Sequence, residues 1–276
     1  MGDANDTREF AEASVRESYD PEFFDHLARV ESEHFWFRAR NRVIASVVAQ
    51  LTKDLPDGYR VLEVGCGTGN VLRALEQTCT RGTVVGMDLF AEGLAFARKR
   101  TSCPLVRGNV DQPGFGVPFD LIGAFDVVEH LSDDLQIFRS IHSMLKPGGV
   151  ILLTVPAHQS LWSYFDEAAH HCRRYEPDDL RSKLNQTGFE IEFFSQFMAS
   201  IYPLLWLVRR IGSVRRKTGS PKHEEADRDL SLEELRIVPV LNGLLTFVLA
   251  QEARLIKSRF VLPFGSSLIA AARRVG

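Results

Sequence analysis

The sequence predicts an α/β fold, a doubly wound and mostly parallel sheet with helices on both faces. Three observations carry this. Short β-branched runs alternate with helical stretches from residue 60 to 197, the rhythm of βαβ units. The first such run, Arg60–Val64, opens onto Gly65-Cys66-Gly67-Thr68-Gly69, and a glycine turn between a first strand and a helix lets a ligand approach the backbone. The 276 residues are 45% hydrophobic and 25% charged, an ordinary globular balance with enough apolar material for a full core.

The elements follow in order. Residues 1–20 read as a polar, acidic leader without the features of a signal peptide. Residues 21–55 form an N-terminal helical cap, helical over 21–52, with Pro21 at the start behind Asp20. Residues 56–197 form the α/β core. Asp57-Gly58 turns the chain into strand 60–64, followed by helix 69–79, strand 83–87, helix 91–101 and short strands at 104–107 and 120–126. Helix 132–145 stops at Lys146-Pro147-Gly148-Gly149, and strand 150–155 follows. Helix 177–187 ends at Gly188 before strand 189–195. Residues 198–258 read as a helical insertion with a polar loop near 212–230, and residues 259–276 as a turn and a final strand.

The net charge of −3 argues against a nucleic-acid partner for the whole chain. The charge is uneven: residues 1–198 carry 20 Lys+Arg against 29 Asp+Glu, and residues 199–276 carry 13 against 7. Cys66, Cys79, Cys103 and Cys172 form no CxxC pair and no metal-type spacing, which fits a reducing cytoplasm. Two uncharged runs, Phe193–Val208 and Ile237–Gln251, fall short of the roughly 20 residues a membrane span needs.

The glycine loop admits several nucleotides. Its spacing, Gly65-x-Gly67-x-Gly69 with Asn70 next, departs from the GxGxxG of dinucleotide sites. Glu63, at the end of the strand beside the loop, would repel a pyrophosphate and attract a cofactor that is cationic at that end, such as a sulfonium bearing an α-amino group. Asp88 closes the second strand, where a carboxylate can accept both ribose hydroxyls.

Four segments in order carry a resemblance over residues 58–197 and the last strand. VLEVGCGTGN resembles the first signature of class I S-adenosylmethionine-dependent methyltransferases, VVGMDL their second-strand acid, FDLIGAFDVVEHL their fourth strand and LKPGGVILLTVP their fifth. The resemblance implies a Rossmann-like methyltransferase fold of seven strands, the last antiparallel and supplied by Leu268–Arg274. It implies S-adenosylmethionine as cofactor and S-adenosylhomocysteine as product. Glu63 would orient the methionine amino group, Gly65, Cys66, Gly67 and Gly69 would form the loop under the cofactor, Asp88 would hold the ribose and Leu89 touch the adenine. Asn109, with Val110 beside it, replaces the acid the family often aims at the adenine amino group. Phe125 and Asp126 would border the methyl group.

Three segments offer acceptor contacts. Glu129-His130 lies where the family has a pair near the substrate, in some members at a metal site; no metal is assigned here. Residues 156–175 follow the fifth strand at the ligand-binding edge of the sheet, concentrate His, Trp, Tyr, Asp and Arg, and resemble a bacterial subgroup with an LWS…D…H…RRY pattern. Asp166 and His170 stand at i, i+4 spacing as an orienter and base, with His158 as the alternative base. Trp162, Tyr164, His171 and Arg174 are expected around the acceptor. In the cap, Trp36 and Arg40 share one helix face and His34 and Arg38 another, and Trp36 and Arg38 are expected to contact the substrate.

The insertion carries Arg209–Lys217, with five basic residues and no acid, directly after Leu205-Trp206-Leu207-Val208. A lid or homodimer surface is favoured over a peripheral membrane contact, because neither apolar run can span a bilayer. The sequence thus points to methyl transfer onto an oxygen or nitrogen of a small molecule in bacterial secondary or cell-envelope metabolism. The rival readings are a membrane-peripheral enzyme acting on a lipid-linked substrate and a non-catalytic binding or scaffold protein.

Overall fold

The computed structural model describes residues 23–112, 114–207, 209 and 235–276. The expected leader, the loop near 212–230 and all of the basic run beyond Arg209 lie outside the described residues. One sheet of seven strands organises the chain: β1 Arg60–Val64, β2 Thr83–Asp88, β3 Leu105–Arg107, β4 Phe119–Phe125, β5 Leu145–Pro156, β6 Phe189–Phe197 and β7 Ser267–Arg274. Their order is β3-β2-β1-β4-β5-β7-β6. The first five are parallel, and β7 runs antiparallel between β5 and β6. This is the sheet the resemblance implies.

The helices are α1 Phe23–Val30, α2 Phe35–Thr52, α3 Asn70–Thr78, α4 Ala91–Ala97, α5 Asp134–Met144, α6 Tyr164–Ala168, α7 Pro177–Gln186 and α8 Pro239–Lys257. Two apolar clusters hold them to the sheet. One joins α2, α3 and α8 to β1 and β7 through Ile44, Leu72, Leu75, Ile256 and Ile269. The other joins α5 and α7 to β1, β4 and β5 through Leu62, Ile122, Phe138, Ile151 and Leu180. Both strand faces are buried, which is why the central strands read as continuous apolar runs rather than alternating ones.

Two local readings are corrected. The cap is two helices, not one. His34 starts α2 by accepting from the backbone N–H of Trp36 at 3.4 Å, and the break leaves Glu31 buried, accepting from the Thr68 hydroxyl and the Arg100 guanidinium. Lys146–Gly149 does not precede a strand but lies within β5: Phe119 faces Leu145 and Leu121 faces Val150, so these residues bulge out of the ladder. The insertion contributes α8 alongside α2. Asn242 accepts from the Phe35 N–H at 2.7 Å and donates to the Glu33 carbonyl at 3.0 Å, and Gln50 donates to the Lys257 carbonyl at the other end.

Candidate active site

The carboxyl ends of β1, β2 and β4 open onto a cavity of about 260 Å³. It is lined by Glu63, Gly65, Cys66, Gly67, Asp88, Leu89, Asn109, Val110, Phe125 and Asp126, and also by His130. Gly69 does not line it. Gly69 caps α3 at φ 80, and a Cβ there would lie 2.8 Å from Ala97 Cα, so its role is the close approach of α3 to α4. At Gly65, φ is 68 and a Cβ would sit 2.5 Å from Val127 Cγ2, so a side chain would both strain the turn and collide with the cavity wall.

The loop and Asp88 fix one another. Asp88 Oδ2 accepts from Gly67 N–H at 2.7 Å and Oδ1 from Phe90 N–H at 2.8 Å. Each carboxylate oxygen keeps a further lone pair for a ligand hydroxyl. Burial raises the Asp88 pKa, and the two backbone donors oppose that rise. Beyond the third strand, Asn109 Oδ1 accepts from Asp111 N–H at 3.0 Å, so the side chain braces its own turn. Asp111 also lines the cavity, and it is an acid the sequence reading missed, two residues past the position inspected.

Glu63 is 2% exposed, and its Oε2 has no hydrogen-bond partner in the structure. Burial pushes its carboxyl well above the usual range, with the Arg40 cation pulling the other way. A buried carboxylate without a full set of donors is costly. An ammonium group placed here would supply both donor and charge. These residues fit S-adenosylmethionine: Glu63 would hold its amino group and Asp88 its ribose diol, with Leu89 and Asn109 near its base.

Arg40, rather than Arg38, is the arginine at this cavity. Arg38 is exposed on α2, whereas Arg40 shares the buried face with Phe37, Ile44 and Val47, stacks 5.0 Å from the Trp36 ring centroid and pairs with Asp126. An arginine at i+3 from Phe37 and four before Ile44, on an apolar stripe, was the available signal. Asp126 has φ 55, an unusual conformation for a non-glycine residue. Its N–H donates to the Thr154 carbonyl at 2.9 Å, its Oδ1 accepts from the Thr154 hydroxyl at 3.1 Å and its Oδ2 accepts from Arg40, so the strained backbone is pinned at both ends.

The segment after β5 is organised differently from the expectation. Trp36, Arg38, His158, Trp162, Tyr164, Asp166, His170, His171 and Arg174 do not line the cavity. Asp166 and His170 do not pair: α6 ends at Ala168, and His170 is exposed with φ 53. Asp166 is fully buried and accepts from Arg174 Nε at 2.7 Å, His171 Nδ1 at 3.0 Å and Ser163 N–H at 2.9 Å. These donors outweigh burial and hold its carboxyl below the usual range. His158 sits between Glu176 and Gln196, 2.9 Å from each. The segment is tied down through Cys172 N–H to the Glu129 carbonyl at 2.7 Å and the Tyr175 hydroxyl to Asp134 at 2.8 Å.

One histidine of the segment reaches toward the cavity wall. The His171 and His130 rings meet edge to face with centroids 4.7 Å apart. Burial, then the neighbouring His171 and His170, push the His130 pKa down to about 3, so it is neutral near pH 7. Glu129, His130 and His171 each offer a ligand atom, all within 4.8 Å of one another, and neither carboxyl oxygen of Glu129 has a hydrogen-bond partner. These three are the group among the described residues whose ligand atoms lie close enough together that they could hold a metal ion.

Comparison with known proteins bears on family and fold. The profile of a methyltransferase-domain family matches residues 36–192. A probable S-adenosylmethionine-dependent methyltransferase of Mycolicibacterium smegmatis is 30% identical over 164 residues, covering 58% of this chain and 61% of that protein. The ubiquinone biosynthesis O-methyltransferase of Dinoroseobacter shibae is 26% identical over 218 residues, covering 67% of this chain and 84% of that protein. Thus the chain spans less than two thirds of the first of these relatives. The structure of magnesium protoporphyrin IX methyltransferase from Synechocystis PCC 6803 with bound S-adenosylmethionine superposes with a TM-score of 0.55 at 16% identity, covering 95% of this chain and 96% of that one, a likeness of fold. The glycine loop, the two carboxylates and the matched domain converge: the chain belongs to the S-adenosylmethionine-dependent methyltransferases.

Proposed function

We propose that this enzyme methylates an oxygen or nitrogen of a small molecule, with Asp126 and His130 bordering the acceptor. The observation that carries this is that one cavity is lined both by Glu63 and Asp88, which we assign to the cofactor, and by Asp126, His130 and Leu131, which we assign to the acceptor. When bound, S-adenosylmethionine supplies an activated methyl group on a sulfonium leaving group. The protein's part is to align the acceptor and exclude water. Neutral His130 is suited to accept a hydrogen bond from an acceptor hydroxyl or amine, a role we assign to it in preference to His170 and His158, which stand off the cavity lining. The oxygen-methylating relative in Dinoroseobacter shibae supports an oxygen acceptor. A cytoplasmic location fits the four free cysteines.

The test is transfer of labelled methyl from S-adenosylmethionine to fractionated bacterial metabolites by the purified protein. Label in a low-mass product is expected; label confined to protein or nucleic acid would overturn the reading. His130→Gln should lower turnover about 100-fold and leave S-adenosylhomocysteine binding intact. Unchanged turnover would remove His130 from the chemistry.

A further inference from the structure

Twelve of the fifteen large apolar side chains that stand exposed among the described residues fall between Leu204 and Phe264. The stripe is densest on the first half of α8. Val240, Leu244 and Phe247 share one face at i, i+4 and i+7 spacing, and Val240 and Phe247 are 86% and 67% exposed. The opposite face, with Leu249, Ala253 and Ile256, is the one buried against α2. Trp206 and Leu207 stand exposed on the helical stretch 202–207. An apolar surface this concentrated marks an interface.

It does not serve as the cavity's lid. Among the described residues none beyond Leu131 lines the cavity, and the described element that covers it is α1, with Phe24 and Leu27. Its charge chooses between the remaining partners. Arg236, Arg254, Lys257 and Arg259 are exposed on and beside α8. Over residues 235–276 the one acid is Glu252, and it is buried, accepting from the N–H groups of Ala199 and Ser200 at 3.0 and 2.6 Å; the other six acids after residue 199 lie outside the described residues. In a two-fold dimer this face would meet itself, cation against cation. An anionic lipid surface offers the complementary charge and takes up the apolar stripe. No helix among the described residues is long and apolar enough to cross a membrane, so contact would be from one side.

We infer that the exposed face of α8 and the 202–207 helix docks on the surface of an anionic membrane. Asn242 ties the start of α8 to the break before α2, beside Glu31 and Phe37 of the cavity lining, so docking would hold the cavity close to the lipid. The inference does not depend on which acceptor is methylated.

The full chain is to be sedimented with vesicles of phosphatidylcholine alone and of phosphatidylcholine with phosphatidylglycerol, at low and high salt. Pelleting with the anionic vesicles at low salt, falling at high salt, is expected. Val240→Asp with Phe247→Asp should weaken it about tenfold or more. Arg254→Glu with Lys257→Glu should weaken it on the anionic vesicles without removing the apolar stripe. All four positions are exposed, and S-adenosylhomocysteine binding, followed in parallel, reports that the variants fold. Absence of pelleting at low salt, or equal pelleting with neutral vesicles, overturns the proposal. So does a dimer in sedimentation equilibrium that the Val240→Asp, Phe247→Asp variant converts to monomer. Vesicle binding without any transfer activity would leave docking standing and sink the small-molecule reading instead.

Discussion

The glycine-loop region and the segment 157–175 are both rich in polar side chains at the carboxyl edge of the sheet, but their hydrogen bonds are spent differently. In the segment, Asp166 is saturated by Arg174, His171 and Ser163, while His158 is held by Glu176 and Gln196. In the loop region, Glu63 Oε2 is buried without a partner, and Asp88 uses one lone pair on each oxygen, leaving the others facing a cavity. Polar density alone does not mark a ligand site. Polar groups that folding leaves incomplete, beside space, do.

The largest way to break this contrast is at its structural half. Asp166→Ala would leave Arg174, a buried guanidinium, without its carboxylate, and should cost about 3–5 kcal/mol of stability. Denaturant unfolding measures this; a loss below about 1 kcal/mol would show the network to be dispensable. S-adenosylhomocysteine affinity of the folded fraction should stay unchanged.

Glu63→Gln tests the other half. It keeps the shape and removes the charge, so binding of S-adenosylhomocysteine should weaken about 10–100-fold while stability holds or rises. Calorimetry and thermal unfolding on one sample give both readings, and a variant that binds normally would detach Glu63 from the amino group.

A smaller effect sharpens the comparison through pH. In the free protein burial raises the Glu63 pKa, which shifts the group toward its protonated form, with the Arg40 cation opposing. A bound ammonium would favour the carboxylate and lower that pKa. Binding should therefore release a proton, and affinity should rise with pH until the ligand's amino group itself titrates. Calorimetry in buffers of different ionisation enthalpy counts the proton, and Glu63→Gln should abolish the release. Last, His170→Ala should change turnover less than twofold, since that exposed ring stands off the cavity lining.

The fold was legible because its signals are local: strand, glycine turn and acid lie within a few residues of one another. That Glu63 and Asp88 line one cavity was legible for the same reason, since they stand near the ends of adjacent strands whose register is set by the parallel ladder. What escaped depends on distant partners. That Arg40 rather than Arg38 faces the cavity follows from which stripe of α2 packs on β1 and α3. That Asp166 pairs with His171 and Arg174 rather than His170 follows from where α6 stops, and a four-residue spacing identifies a pair only if the helix continues through it.

The placement of β7 sets an order of events during synthesis. β6 pairs with β7, and β5 offers β7 its outer edge, so neither ladder can form until residues 267–274 have left the ribosome. Until then a growing chain carries two unpaired hydrophobic strand edges, the kind of surface that recruits chaperones or another nascent chain. The parallel half, β3-β2-β1-β4-β5, meets no such wait, and the described lining of the cavity comes from its carboxyl edge and from the helices α1 and α2 that precede it in the chain. A cofactor present during translation could therefore bind before the sheet is complete, and stabilise the half-made protein by mass action through its most vulnerable interval.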